Sequence, residues 1–164
     1  MIILSQATTK DIPIIQVIAH KTWPITYGAI LSKAQLDYMI DLMYSEASLL
    51  QQLNTKPLFF LAYEDDVCLG FASCENNYLN KKVTRLHKIY ILPEAQGKGV
   101  GKTLIEKVVA IAKENQSELI SLNVNKFNKA VAFYKKMGFE IASEEDLDIG
   151  NGYLMEDYKM ELKI

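Results

Sequence analysis

Apolar residues recur along the first third of this chain at helical spacing, and along much of the rest at strand spacing. Ile2 to Gln6 reads as a short opening strand. Ile12, Ile15 and Ile18, with Ala19 beside them, then predict an amphipathic helix. Thr8 or Thr9 is placed to cap it, and Pro13 falls in the first turn, where a missing N–H is tolerated. Pro24 disfavours the α conformation at Trp23, so the helix is expected to stop or bend there, with Tyr27-Gly28 as a loop. Ser32, three residues before Gln35, opens a second helix as a weak capping box. Leu36, Met39, Ile40 and Met43 form its apolar stripe, and Ser45 to Leu53 is a further short helix.

The period changes at Pro57. Leu58 to Tyr63 and Val67 to Glu75 read as a hairpin around Glu64-Asp65-Asp66, and Val83 to Leu92 as another strand stopped by Pro93. The longest helix is expected from about Val100 to Asn115, with Val100, Leu104, Val108 and Ile111 on one face. Leu119 to Val124 is a strand, and Lys129 to Met137 a helix ended by Gly138. Phe139 to Ile141 and Tyr153 to Leu162 complete the chain as strands flanking the turn Asp148-Ile149-Gly150-Asn151-Gly152. The reading is one mixed α+β domain over residues 1–164, in which the helix at 100–115 joins two parallel strands.

Composition narrows the function. At 49% apolar and 23% charged over 164 residues, the chain is an ordinary globular protein, long enough to bury a core without a metal or disulfides. A net charge of −2 gives no basic footprint for nucleic acid. Cys68 and Cys74, six apart on one expected strand, lie too far apart to bridge and read as reduced, buried thiols. Met1 to Ser5 lacks the basic start and long apolar core of a signal peptide, and no run approaches the roughly 18 apolar residues of a membrane span. The expectation is a cytoplasmic protein without a membrane partner, monomer or homodimer.

The candidate chemistry lies where a strand runs through a glycine-rich turn into a helix, Ile89-Tyr90-Ile91-Leu92-Pro93-Glu94-Ala95-Gln96-Gly97-Lys98-Gly99-Val100-Gly101-Lys102-Thr103. Glycines at 97, 99 and 101 clear side chains from the backbone, and first-turn N–H groups at the positive end of a helix lack intrahelical partners. That combination specifies an anion site, most simply for a phosphate or pyrophosphate, with Lys98 and Lys102 adding charge. The plain alternative is a tight connection that merely needs glycine. Two commoner phosphate motifs fail. A P-loop ending in Gly101-Lys102-Thr103 needs glycine where Gln96 stands, and the dinucleotide fingerprint needs glycine where Lys102 stands.

What matches is Gln96-Gly97-Lys98-Gly99-Val100-Gly101, which resembles the [QR]-x-x-G-x-[GA] turn of the GCN5-related N-acetyltransferase superfamily. Downstream, Ala130-Val131-Ala132-Phe133-Tyr134-Lys135-Lys136-Met137-Gly138-Phe139 is similar to that family's A-x-x-[FL]-Y-x-x-x-G-F signature. The resemblance implies a mixed central sheet whose splayed parallel strands, here Leu86–Leu92 and Leu119–Val124, hold acetyl-CoA, with helices on both faces. It implies that Ile89, Tyr90 and Ile91 pair with the pantetheine arm, and that the N–H groups of Gly97 to Lys102 hold the pyrophosphate. The family's cofactor-touching asparagine would fall at Phe127, so Asn125 and Asn128 are the candidates for that contact.

The implied reaction is direct acetyl transfer to a primary amine through a tetrahedral intermediate. Tyr134 matches the family's general acid, and a phenol, with a pKa of about 10, keeps its proton at neutral pH. The base is His87 or Glu75; a backbone N–H near Ile89 would hold the oxyanion. Glu94 reads as a solvated turn residue, and His20 as a surface or core residue of the first helix. The acceptor would be a small-molecule amine, a polyamine among them, or a peptide amine. Trp23, Tyr27 and Tyr38 on one side, and Asp146, Asp148, Tyr153, Glu156 and Asp157 on the other, offer aromatic and acidic contacts suited to a cation. No cluster has metal-ligand spacing. The alternatives are a non-catalytic acyl-CoA-binding sensor or partner module and, further off, a nucleotide-binding P-loop protein.

Overall fold

In the computed structural model, which describes residues 1–164, the seven strands form one sheet in the order β1-β2-β3-β4-β5-β7-β6. They are β1 (Ile2–Gln6), β2 (Leu58–Glu64), β3 (Val67–Glu75), β4 (Val83–Ile91), β5 (Leu119–Asn125), β6 (Glu140–Gly150) and β7 (Tyr153–Lys163). The helices are α1 (Ile12–Tyr27), α2 (Lys33–Tyr44), α3 (Glu46–Leu53), α4 (Val100–Glu114) and α5 (Ala130–Lys136). All neighbours are antiparallel except β4 and β5, joined by α4 in the expected parallel crossover.

Side chains alternate across β4 and fix the layers. Lys88 and Tyr90 point to the face covered by α1, α2 and α3, where Tyr90 meets Trp23 and Lys88 lies over the Tyr44 ring. Ile91 points to the opposite face, where it and Phe133 of α5 crowd Gly101 of α4. A continuous core of 36 buried residues includes both faces.

Several expectations need correction. Helix α1 does not stop at Trp23-Pro24; it runs on to Tyr27. Proline removes only the bond to the carbonyl of His20, an exposed residue whose oxygen water can satisfy, while Gly28 N–H donates to Pro24 O at 2.9 Å. Strand β6 is not limited to 139–141 but runs from Glu140 to Gly150, because its acidic residues form the exposed edge of a long hairpin with β7. Thr8 caps a short 3₁₀ turn, Thr9–Asp11, that precedes α1, in a full capping box with Asp11. Ser32 does cap α2, accepting from Gln35 N, but the Gln35 side chain reaches away to Leu154 O instead of closing a box. Both cysteines are free, Cys74 buried and Cys68 partly so.

Candidate active site

The parallel ladder between β4 and β5 ends where Leu86 pairs with Leu122, and beyond it the strands separate. His87 sits at a bulge, since Cys74 faces Leu86 and Ser73 faces Lys88. Leu92 N–H donates to Leu69 O at 2.8 Å, and the antiparallel alternation then turns the backbone of Tyr90 and Lys88 toward β3. The N–H and C=O groups of Ile89 and Ile91 therefore face the opening. Tyr90 contributes its side chain there and not its backbone, a correction to its expected place with Ile89 and Ile91. The opening belongs to a cleft of about 840 Å³ that also takes in the glycine turn, α1 residues and the start of α5.

At the turn, Gly97 and Gly99 adopt φ of +83° and +80°, and a Cβ at either would stand in open space. The left-handed conformation, not crowding, is what requires glycine here. Gly99 is the N-cap of α4 and no side chain caps that helix. The N–H groups of Gly97, Gly99, Val100, Gly101 and Lys102 donate to no protein acceptor. These unpaired donors at a helix N-terminus form an anion cradle. Gly101 is different: a Cβ there would meet Ile91 at 3.0 Å and Phe133 at 3.1 Å, so it is small for packing. Gln96 and Lys102 line the cleft, but Lys98 turns away to Glu64, 2.7 Å distant, and Lys102 lies 4.0 Å from Glu106.

Tyr134 lines the same cleft from α5, 7% exposed. Burial pushes its phenol well above the ordinary range, so it stays protonated and can donate. Tyr27 and Tyr90, whose hydroxyls lie 3.0 Å apart, join it on the cleft wall, and burial raises both. Asn125 Oδ1 accepts from Phe127 N–H and Asn128 Oδ1 from Ala130 N–H, so both asparagines shape the turn before α5 while lining the cleft. His87 Nε2 lies 3.0 Å from Glu75 Oε1, and His87 lines the cleft whereas Glu75 stands behind it. Desolvation lowers the His87 pKa, opposed by the Glu75 bond, with Lys88 and Arg85 lowering it further, so the imidazole is neutral at pH 7.

Residues 18–139 match the family profile described as the acetyltransferase (GNAT) family. The chain belongs to that family. It is 28% identical over 159 residues to the spermidine N(1)-acetyltransferase of Thermoplasma acidophilum, spanning 93% of this chain and 94% of that one. It is 33% identical to the uncharacterized N-acetyltransferase MJ1207 of Methanocaldococcus jannaschii, over half of this chain but only 38% of that relative's length. The crystal structure of PaiA N-acetyltransferase from Thermoplasma acidophilum, in complex with coenzyme A, superposes with a TM-score of 0.85 at 27% identity and covers all of this chain and 99% of that one. This GNAT acetyltransferase uses acetyl-CoA as its acyl donor, and the open glycine turn, its free N–H groups and the unpaired edge at Ile89 and Ile91 fit such a ligand. No helix is long and apolar enough to cross a membrane.

The acceptor side of the acetyltransferase differs from its expected composition. Trp23 is 2% exposed and packs behind the wall against Tyr27, Tyr44 and Tyr90, at centroid distances of 4.5, 5.7 and 5.6 Å. Tyr38 and Tyr153 pack against one another, tilted by 46° with ring centroids 5.5 Å apart, outside the cleft, and Tyr38 donates to Ile149 O, pinning the β6–β7 hairpin to α2. Asp146, Asp148 and Glu156 are exposed, and none lines the cleft. Only Tyr27 and Asp157 of the acceptor set do. Lys88, which sequence reasoning missed, lies among the lining residues with its ammonium 5.2 Å above the Tyr44 centroid, and burial lowers its pKa to about 8. Its only sequence signal is a lysine inside a strand that turns from β-sheet partner to cleft wall.

Proposed function

We propose that this protein transfers the acetyl group of acetyl-CoA directly to a primary amine of a small cationic molecule, of the polyamine type. The observation that carries the reading is the meeting, in one cleft, of the glycine turn, the unpaired edge of β4 and the Tyr134 hydroxyl. Acetyl-CoA supplies an activated thioester carbonyl. The N–H groups of Gly97 and of Gly99 to Lys102 hold its pyrophosphate, and Ile89 and Ile91 pair with the pantetheine arm. The Ile89 N–H is aimed to receive the carbonyl oxygen as negative charge develops, in a position where preorganised donors are effective. Tyr134 gives its proton to the departing sulfur. His87, neutral at pH 7 and held by Glu75, accepts the proton of the incoming ammonium through water. A polyamine is favoured by the relative named for spermidine and by the cleft's single carboxylate beside Tyr27.

Calorimetric titration with acetyl-CoA, with ATP as control, tests the donor half. Free-thiol release across a panel of amines tests the acceptor half. Binding of acetyl-CoA with a silent ATP trace, followed by thiol release with polyamines, is the expected result; no acetyl-CoA binding overturns the reading.

A further inference from the structure

Asp157 is the only carboxylate among the cleft-lining residues. It is 6% exposed, and its Oδ1 is sealed from solvent without a hydrogen-bond partner. Oδ2 receives only a long 3.4 Å contact from Asn123 Nδ2, which it shares with Glu145 at 3.1 Å. The nearby cation compensates only in part. Arg85 directs its guanidinium to Ser121 Oγ at 3.1 Å and Asn123 Oδ1 at 2.6 Å, and so reaches Asp157 only through the asparagine. A buried carboxylate left this way is unfavourable until a cation or donor joins it. Burial, offset by Asn123 and Arg85, raises its pKa to about 6, so it carries its charge at neutral pH.

The sheet also fixes where such a cation sits. Ile89 and Asn125 each lie three residues beyond the last β4–β5 pair, and Asp157 faces Asn125 across the β5–β7 ladder. Asp157 is thus two strand spacings from Ile89, roughly 10 Å between backbones and more where the strands splay. A nitrogen attacking a carbonyl held at Ile89 N–H is too far away to touch Asp157. We propose that the Asp157 carboxylate binds a second ammonium group of the acceptor, so that the cleft selects diamines and polyamines whose far nitrogen docks on Asp157 while the near one is acetylated. This inference rests on the acetyltransferase reading above. The aromatic side chain of Tyr27 lies along the intervening path, a suitable wall for methylenes.

The test compares 1,4-diaminobutane with butylamine, in the intact protein and in Asp157→Asn, which keeps the side chain's size. The intact protein should favour the diamine by at least about tenfold in KM, as expected for a hydrogen bond to a charged group. Asp157→Asn should erase that preference by raising the diamine KM toward that of butylamine, while leaving the acetyl-CoA KM unchanged. A diamine preference that survives the substitution, or is absent from the intact protein, overturns the inference. So does an equal fall in kcat for both amines, which would make Asp157 part of proton transfer. The intact protein offers a second check: its diamine preference should shrink as pH falls through about 6, and persistence at pH 5 overturns the inference. Arg85 from β4, Glu145 from β6 and Tyr27 from α1 are the other titratable groups facing Asp157, and the asparagine variant shows whether the limb belongs to Asp157. If acetyl-CoA fails to bind the intact protein, the acetyltransferase reading itself has failed, and this inference with it.

Discussion

The two sides of the cleft are built by different means. The donor side, from β4 through the glycine turn into α4, presents backbone: five N–H groups at the turn and two peptide groups on an unpaired strand edge. The acceptor side, from α1 across to β7, presents side chains: Tyr27, Tyr90, His87 and Asp157. Backbone recognition depends on conformation, which a few glycines set through local rules. Side-chain recognition depends on which of many aromatic and acidic residues the packing turns inward. One fold can therefore keep the first side fixed and vary acceptors on the second.

Tyr134 stands between the two sides, and removing its hydroxyl should have the largest effect. Tyr134→Phe is expected to lower kcat by about a hundredfold or more, the usual range for losing a general acid, with acetyl-CoA affinity within twofold of the intact protein. Stopped turnover and calorimetry on the same variant check this. Equal losses in kcat and in acetyl-CoA affinity would make Tyr134 a packing residue of the donor side instead.

The glycines break the comparison from within. Gly99→Val places a branched side chain at φ +80° in otherwise open space, across the N–H cradle. Acetyl-CoA affinity should fall by roughly thirtyfold or more, with a stability cost of about 1–2 kcal/mol from the left-handed backbone. Gly101→Val has the reverse profile, because its Cβ meets Ile91 and Phe133. Overpacking should cost about 1–3 kcal/mol, with a smaller loss of affinity in the protein that remains folded. Thermal melts with and without acetyl-CoA separate the two; identical behaviour would mean that the turn acts through packing alone.

These contrasts also explain what was legible in the sequence. The donor side could be read because the turn runs directly into the helix after it, the Tyr134 segment is itself a short continuous stretch, and both follow local conformational rules. Even there, the orientation of Ile89 against Tyr90 required the β3–β4 register, and the departure of Lys98 required Glu64 on a distant strand. The acceptor side was read as a pool of aromatic and acidic residues, and tertiary packing sorted it. Trp23 went to the core because α1 continues through Pro24 and carries it against Tyr90. Asp146 and Asp148 went to solvent because β6 is a long edge strand paired only with β7, a case where pairing outweighs composition. Asp157 went inward because it alternates with exposed Glu156 on β7, a parity that depends on strand register.

The smallest expected effect sharpens the acceptor side further, by separating its two titrating groups. His87 is faced by Glu75 from β3 and by Lys88 and Arg85 along β4, and its pKa lies below 6.5. A base works in its unprotonated form, so kcat in the intact protein should rise with pH through the His87 pKa and then level. His87→Gln should remove that limb and lower kcat by about tenfold at pH 7, less than for Tyr134 because solvent can substitute as proton acceptor. The deficit should narrow toward pH 9, as the free amine, with a pKa of about 10, becomes more abundant. Asp157 acts on acceptor binding, so its limb belongs to KM for diamines and should survive in His87→Gln. A kcat profile unaltered by His87→Gln would remove His87 as the base and shift attention to the other groups of the acceptor side.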